Sequence, residues 1–314
     1  MLPPVLARLR AILGLFGFVA AAAALLALVF FLIDLRDGQT ATPGVIRIGS
    51  KADTEGIVLA EILAQVIEHE TKLRVERRTN LGGTHLCFEA LRAGEIDLYP
   101  EYTGTGLVGI LEKPAVLDAA RALEIVRRDF AARYAMVWLD PFAFNNTYAL
   151  AMTRARAGAL GIHALSGLTR HPELRAGFTA EFLARKDGYP GLEGRGVHFA
   201  VRPRSMEAGL MYAAVADGAV DVISAYATDG RIDKLGLVVL GDDLGFFPPY
   251  QAAPLVRAQT LAREPRMRAA LRLIAGKIDD AEMRRLNAAV DLEGKPPASV
   301  ASAWIRNAFQ PSTR

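Results

Sequence analysis

The sequence predicts an α/β protein of two lobes around a cleft, preceded by one membrane-spanning helix. Three observations predict it. From Val45 onward, short β-branched runs alternate with longer amphipathic runs, the pattern of βαβ units around a mainly parallel sheet. The alternation runs to about Phe142 and then begins again at Asn145. Residues 11–33 are 23 consecutive residues without a charge, about 35 Å long as a helix against a hydrocarbon core of roughly 30 Å. The 314 residues suffice for two ordinary domains, and 37 Lys+Arg mixed along the chain with 34 Asp+Glu exclude disorder.

Arg8 and Arg10 precede the apolar run, and Asp34, Arg36 and Asp37 follow it. The positive-inside bias therefore puts residues 1–10 in the cytoplasm and the bulk of the protein outside it. The run exceeds the 7–15 residues usual for a cleaved signal and no small-x-small site follows, so an uncleaved anchor is favoured over an export signal. Residues 34–44 read as a linker. Val45–Ile48 is a strand and Thr54–Glu70 a helix, with Val58, Leu59, Ile62, Leu63, Val66 and Ile67 on its buried stripe. A strand near Leu73–Glu76, a turn at Gly82-Gly83, a helix from Thr84 to Gly94 and a strand at Ile96–Tyr99 complete the first unit. The second unit has strands at Thr147–Met152, Val197–Val201, Val220–Ala225 and Leu237–Leu240. The tail, 263–309, is helical, with Trp304 and Phe309 as core anchors.

The chemistry-bearing patterns are few. Cys87 is the sole cysteine and reads as a small buried hydrophobe, while the five His lie scattered without ligand spacing, so no disulfide, metal or cofactor is expected. Gly104-Thr105-Gly106-Leu107-Val108-Gly109 has the form of a dinucleotide fingerprint. It follows the third strand rather than the first, and no acid ends the next strand, so it reads as helix-start packing. There is no G-x-S-x-G nucleophile turn. His85 beside the Gly-Gly turn reads as a surface or capping residue, and the Asn145-Asn146-Thr147 sequon carries no weight. The net charge of +3 includes no basic block, which sets nucleic acid aside. Four of the eight tyrosines, Tyr102, Tyr148, Tyr226 and Tyr250, fall at strand ends or lobe crossings, where loops face a cleft.

These residues carry a resemblance. Ile48-Gly49-Ser50-Lys51, Leu81-Gly82-Gly83-Thr84, the run Glu95 to Thr105, Asn145-Asn146-Thr147-Tyr148, Asp187-Gly188-Tyr189-Pro190, Ala225-Tyr226-Ala227-Thr228-Asp229-Gly230 and Phe246-Phe247-Pro248-Pro249-Tyr250 resemble the substrate-binding proteins of osmoprotectant ABC importers, the glycine betaine, choline and carnitine binders. The likeness covers about residues 45–305. It implies a type II periplasmic-binding-protein fold, with lobe I formed by 45–144 plus 251–314, lobe II by 145–250, and closure around a quaternary ammonium. It implies that Tyr102, Tyr148, Tyr226 and Tyr250 form a cation cage, that Lys51, Thr105 and Arg185 hold a carboxylate, and that Asn146 adds a backbone contact. The implied partners are an ABC permease and its ATPase. Lys51 and Arg185 would stand unpaired over choline in a closed cleft, which favours a zwitterionic betaine. The chain departs from the family in reading Ala52-Asp53-Thr54-Glu55 after Ser-Lys, where an aromatic is frequent, and in Ala227, where Ser is common. A sensing domain signalling through the membrane helix and an exported enzyme on the same fold are the competing readings.

Overall fold

The computed structural model describes residues 44–309, so the apolar run 11–33, the residues before it and the linker up to residue 43 lie outside the described residues. Among the described residues no helix is long and apolar enough to cross a membrane. In chain order the first part comprises β1 (Val45–Gly49), α1 (Thr54–Thr71), β2 (Arg74–Arg78), α2 (Thr84–Arg92), β3 (Leu98–Tyr102), a π-helical turn at Thr105–Ile110, α3 (Ala119–Tyr134) and β4 (Met136–Trp138). The middle part comprises β5 (Tyr148–Thr153), α4 (Arg154–Leu160), β6 (Ala176–Phe178), α5 (Ala180–Ala184), α6 (Tyr189–Glu193), β7 (Arg204–Ser205), α7 (Ala208–Ala216), β8 (Val222–Tyr226), α8 (Arg231–Lys234) and β9 (Leu237–Val239). The chain ends with β10 (Ala252–Arg257), α9 (Ala258–Arg263), α10 (Arg266–Arg272), α11 (Asp280–Asp291) and α12 (Pro297–Phe309).

Two five-stranded sheets result, in the orders β2-β1-β3-β10-β4 and β7-β6-β8-β5-β9. Among the described residues, 46–309 pack as one compact unit. The expectation of mainly parallel sheets is corrected, because both sheets are mixed. β1 pairs with β3 in parallel, but β10 runs antiparallel to both β3 and β4, and β5 antiparallel to both β8 and β9. The reason is the connection. β5 and β10 are the strands by which the chain enters one sheet from the other, so they arrive from the cleft side, opposite to the strands fed by crossover helices.

Helix α1 shows how sequence sets packing. The Asp53 side chain caps it by accepting the Gly56 N–H at 2.7 Å, and Lys72 ends it in the left-handed region. Its predicted stripe, Val58 to Ile67, is fully buried in the larger core of the first sheet, where α10 and α12 cover it. Trp304 belongs to this core and Phe309 packs against it. Cys87 is buried, and burial pushes its thiol up to about 11. Val197–Val201 is not a strand. Val197 and Phe199 do enter the core of the second sheet, but as irregular chain between Gly196, which takes a positive φ, and Pro203.

Two segments cross between the sheets, 139–147 and 240–251, and they are bonded to each other. Asn145 and Gln251 form an antiparallel bridge, Asn146 N–H donates to the Tyr250 carbonyl at 3.2 Å, and Tyr250 N–H donates to Asn145 Oδ1 at 2.6 Å.

Candidate functional site

One cavity of about 630 Å³ lies between the two sheets at the crossings. All eight residues singled out from the sequence line it: Tyr102, Tyr148, Tyr226, Tyr250, Lys51, Thr105, Arg185 and Asn146. His85 is exposed and does not line it. The fold delivers them from separate elements. Tyr102 ends β3, Tyr148 opens β5 and Tyr226 ends β8, while Tyr250 stands on the second crossing. Tyr148 and Tyr226 are register partners across β5 and β8, so their rings stack at 5.1 Å with a 27° tilt. Tyr250 lies against Gly104, where an added Cβ would stand 2.7 Å from the ring and 2.8 Å from the Pro249 carbonyl. A Cβ on Gly106 would meet Trp138 at 2.7 Å. Gly104 and Gly106 thus serve close packing, whereas a Cβ on Gly109 would meet only Thr105 at an ordinary 3.7 Å.

Burial raises the pKa of all four phenols, so the rings are neutral at ordinary pH. Tyr226 is the most open, at 44% exposure; Tyr102 and Tyr148 are buried, at 7% and 8%. Cations already sit on two of them, since Lys51 Nζ lies 4.8 Å from the Tyr102 ring centre and Arg185 Cζ 5.6 Å from that of Tyr148.

The two basic residues are not the unpaired charges that the sequence implied. Lys51 Nζ lies 2.5 Å from Oε1 of the fully buried Glu101, which also accepts from the Tyr99 hydroxyl at 3.0 Å. Arg185 holds Asp187 in a fork, Nε to Oδ1 at 2.7 Å and Nη2 to Oδ2 at 2.6 Å, and reaches Glu181 at 3.2 Å. An uncharged or cationic ligand end would therefore leave neither base without a partner, and the preference for a carboxylate drawn from lone charges does not stand. Both keep N–H groups to donate, because Arg185 uses three of five and Lys51 one of three. Asn146 also departs from expectation. Its backbone N–H is taken by Tyr250, and its side chain donates to Glu55 Oε1 at 2.9 Å.

Glu55 is the residue that the sequence reading passed over, although it lies in the Asp53-Thr54-Glu55 stretch flagged as unusual. It is 5% exposed, lines the cavity, and accepts from the Tyr102 hydroxyl at 2.6 Å and from Asn287 Nδ2 at 2.9 Å as well as from Asn146. Desolvation is the largest influence on it and raises its pKa against those hydrogen bonds. Asn287 Nδ2 also donates to the Thr228 carbonyl at 2.9 Å, linking α11 to the loop after β8. No sequence signal pointed to Asn287, which comes to the cleft from a distant helix.

Residues 44–307 match the family described as the substrate binding domain of ABC-type glycine betaine transport systems. The chain is 39% identical over 273 residues to a glycine-betaine-binding protein of Pseudomonas aeruginosa, covering 83% of this chain and 87% of that one. It is 35% identical over 265 residues to the carnitine transport binding protein OpuCC of Listeria monocytogenes, covering 83% and 86%. A crystal structure described as a glycine betaine/carnitine/choline ABC transporter superposes with a TM-score of 0.81 at 32% identity, over 84% of this chain and all of that one.

Proposed function

The chain belongs to the substrate-binding domains of ABC-type glycine betaine transport systems, a family of solute-binding proteins and not of enzymes, and from this premise we propose that its cavity captures a quaternary-ammonium osmoprotectant, glycine betaine first among them. It does so outside the cytoplasm, anchored by or exported through residues 11–33, and delivers the ligand to an ABC permease with its ATPase. The observation that carries this reading is the convergence of Tyr102, Tyr148, Tyr226 and Tyr250 on one cavity. A trimethylammonium group has no N–H to donate, so hydrogen bonds cannot hold it, whereas neutral aromatic faces can. Each face contributes roughly 0.5–2 kcal/mol, so several together supply a large share of the about 8 kcal/mol that micromolar binding needs. The spare N–H groups of Lys51 and Arg185 and the Thr105 hydroxyl then receive a carboxylate as hydrogen-bond donors more than as free charges.

Isothermal titration of the soluble part with glycine betaine, choline, carnitine, proline betaine and ergothioneine tests the reading. Micromolar or tighter binding of at least one, with the ligand recovered unchanged, is expected; no heat with any of them overturns it.

A further inference from the structure

Three acids at the cavity have no Lys, Arg or His ion-pair partner among the described residues: Asp53, Glu55 and Asp291. Asp53 and Asp291 are exposed, so water screens them, but Glu55 is 5% exposed and its field acts through protein. A buried carboxylate without an opposite charge is costly to keep. Burial raises the pKa of Glu55 on balance, and its surroundings work against that shift. It sits in the first turn of the 18-residue α1, where unsatisfied backbone N–H groups favour an anion. Its neighbours Tyr102 hydroxyl, Asn146 Nδ2 and Asn287 Nδ2 all donate to it. One of these donors is the phenol of a ring that lines the cavity, so the negative charge stands at the hydroxyl end of that ring.

We infer that Glu55 is a specificity-determining residue that sets the charge preference of the cavity. It is the fixed counter-charge to the ligand's cationic group and is compensated only when that group is bound. The inference rests on the quaternary-ammonium reading and goes beyond it by assigning the discrimination between a positive nitrogen and a neutral group of the same shape to a residue outside the aromatic set. Lys51 and Arg185 cannot play the compensating part, because Glu101 and Asp187 already engage them.

The test compares glycine betaine with 3,3-dimethylbutanoate, its carbon isostere, which has the same shape and carboxylate but no positive charge. Dissociation constants come from equilibrium dialysis with labelled glycine betaine and displacement by the isostere. In Glu55→Gln, glycine betaine is expected to bind about tenfold or more weakly while the isostere binds as well as before or better, so the ratio of the two constants collapses. Glu55→Asp keeps the charge and is expected to hold that ratio within about threefold of the wild type, even if both ligands weaken through lost hydrogen bonds. Equal weakening of both ligands in Glu55→Gln marks a purely structural residue and overturns the inference. Should Glu55→Gln not melt cooperatively, a collapsed ratio in Glu55→Asp overturns it instead, since the charge is still present. A wild-type protein that binds no quaternary ammonium at all refutes the proposed function itself, an outcome distinct from both.

Discussion

Tyr226 separates binding from stability better than its three companions, because it is 44% exposed while its ring lines the cavity. Tyr226→Ala is expected to weaken glycine betaine binding roughly tenfold, the loss of one ring face, and to move the melting temperature of the empty protein little. Calorimetric titration alongside thermal melts checks both. The Arg185–Asp187 fork makes a different demand. Desolvation raises the Asp187 pKa, but the Arg185 hydrogen bonds and charge outweigh it and the net shift is downward. A carboxylate lowered in the folded state contributes stability above its unfolded value of about 3.9, and the contribution is lost as pH falls through the folded value. The fork is partly open to solvent, so the amount is about 0.5–1 kcal/mol. Melting curves of Asp187→Asn and the wild type should accordingly differ at pH 6 and converge toward pH 3. A gap that persists at acid pH contradicts this account. At this scale the sequence revealed cavity positions but not their partners. Asp187, two residues from Arg185, was within reach of a local reading, whereas Glu101 is fifty positions from Lys51 and meets it only because β1 and β3 pair in parallel.

Among the elements, α11 ties the layer of the first sheet to the loop after β8 of the second. Arg284 binds Asp233 at 3.0 Å and the Ala227 carbonyl at 2.9 Å, and Gly230 lies so close to α11 that an added Cβ would stand 2.6 Å from Ala288 N and 2.7 Å from its Cα. Both are backbone atoms, so the neighbour cannot swing aside. Gly230→Ala is expected to cost about 1–3 kcal/mol, a melting-temperature fall of roughly 2–8 °C, and to weaken ligand binding by prising the loop after β8 from α11. Unchanged melting and affinity would refute the close approach. Long periodic elements such as α1 were legible because burial follows the 3.6-residue stripe. The failures were short. β6 is Ala176-Gly177-Phe178, whose glycine makes room for Met206 and Val220, and β7 is two exposed residues; neither carries a hydrophobic alternation. β3 runs on through Pro100 to Tyr102, although proline argues against a central strand.

For the whole molecule, the bonded crossings mean that the sheets cannot move about one segment without moving the other, and Asn146 and Tyr250 stand on those crossings. On the proposed function, a ligand held there is expected to favour the conformation in which both sheets reach it. Glycine betaine at a hundred times its dissociation constant should stabilise the protein by about 2.7 kcal/mol, read as a melting temperature that climbs with ligand concentration. A concentration-independent melt would mean that the ligand does not choose between folded and unfolded chains. The two sheets also differ in when they can exist. Every strand of the second lies within residues 148–239, whereas β10, at 252–257, stands between β3 and β4 in the first. As a nascent chain lengthens from its amino end, the middle of the molecule has all its strands while the earlier-made part still waits for its keystone. A fragment ending at residue 240 is expected to hold one finished sheet and one open, protease-sensitive sheet, which makes the arrival of β10 the step that commits the chain to its shape.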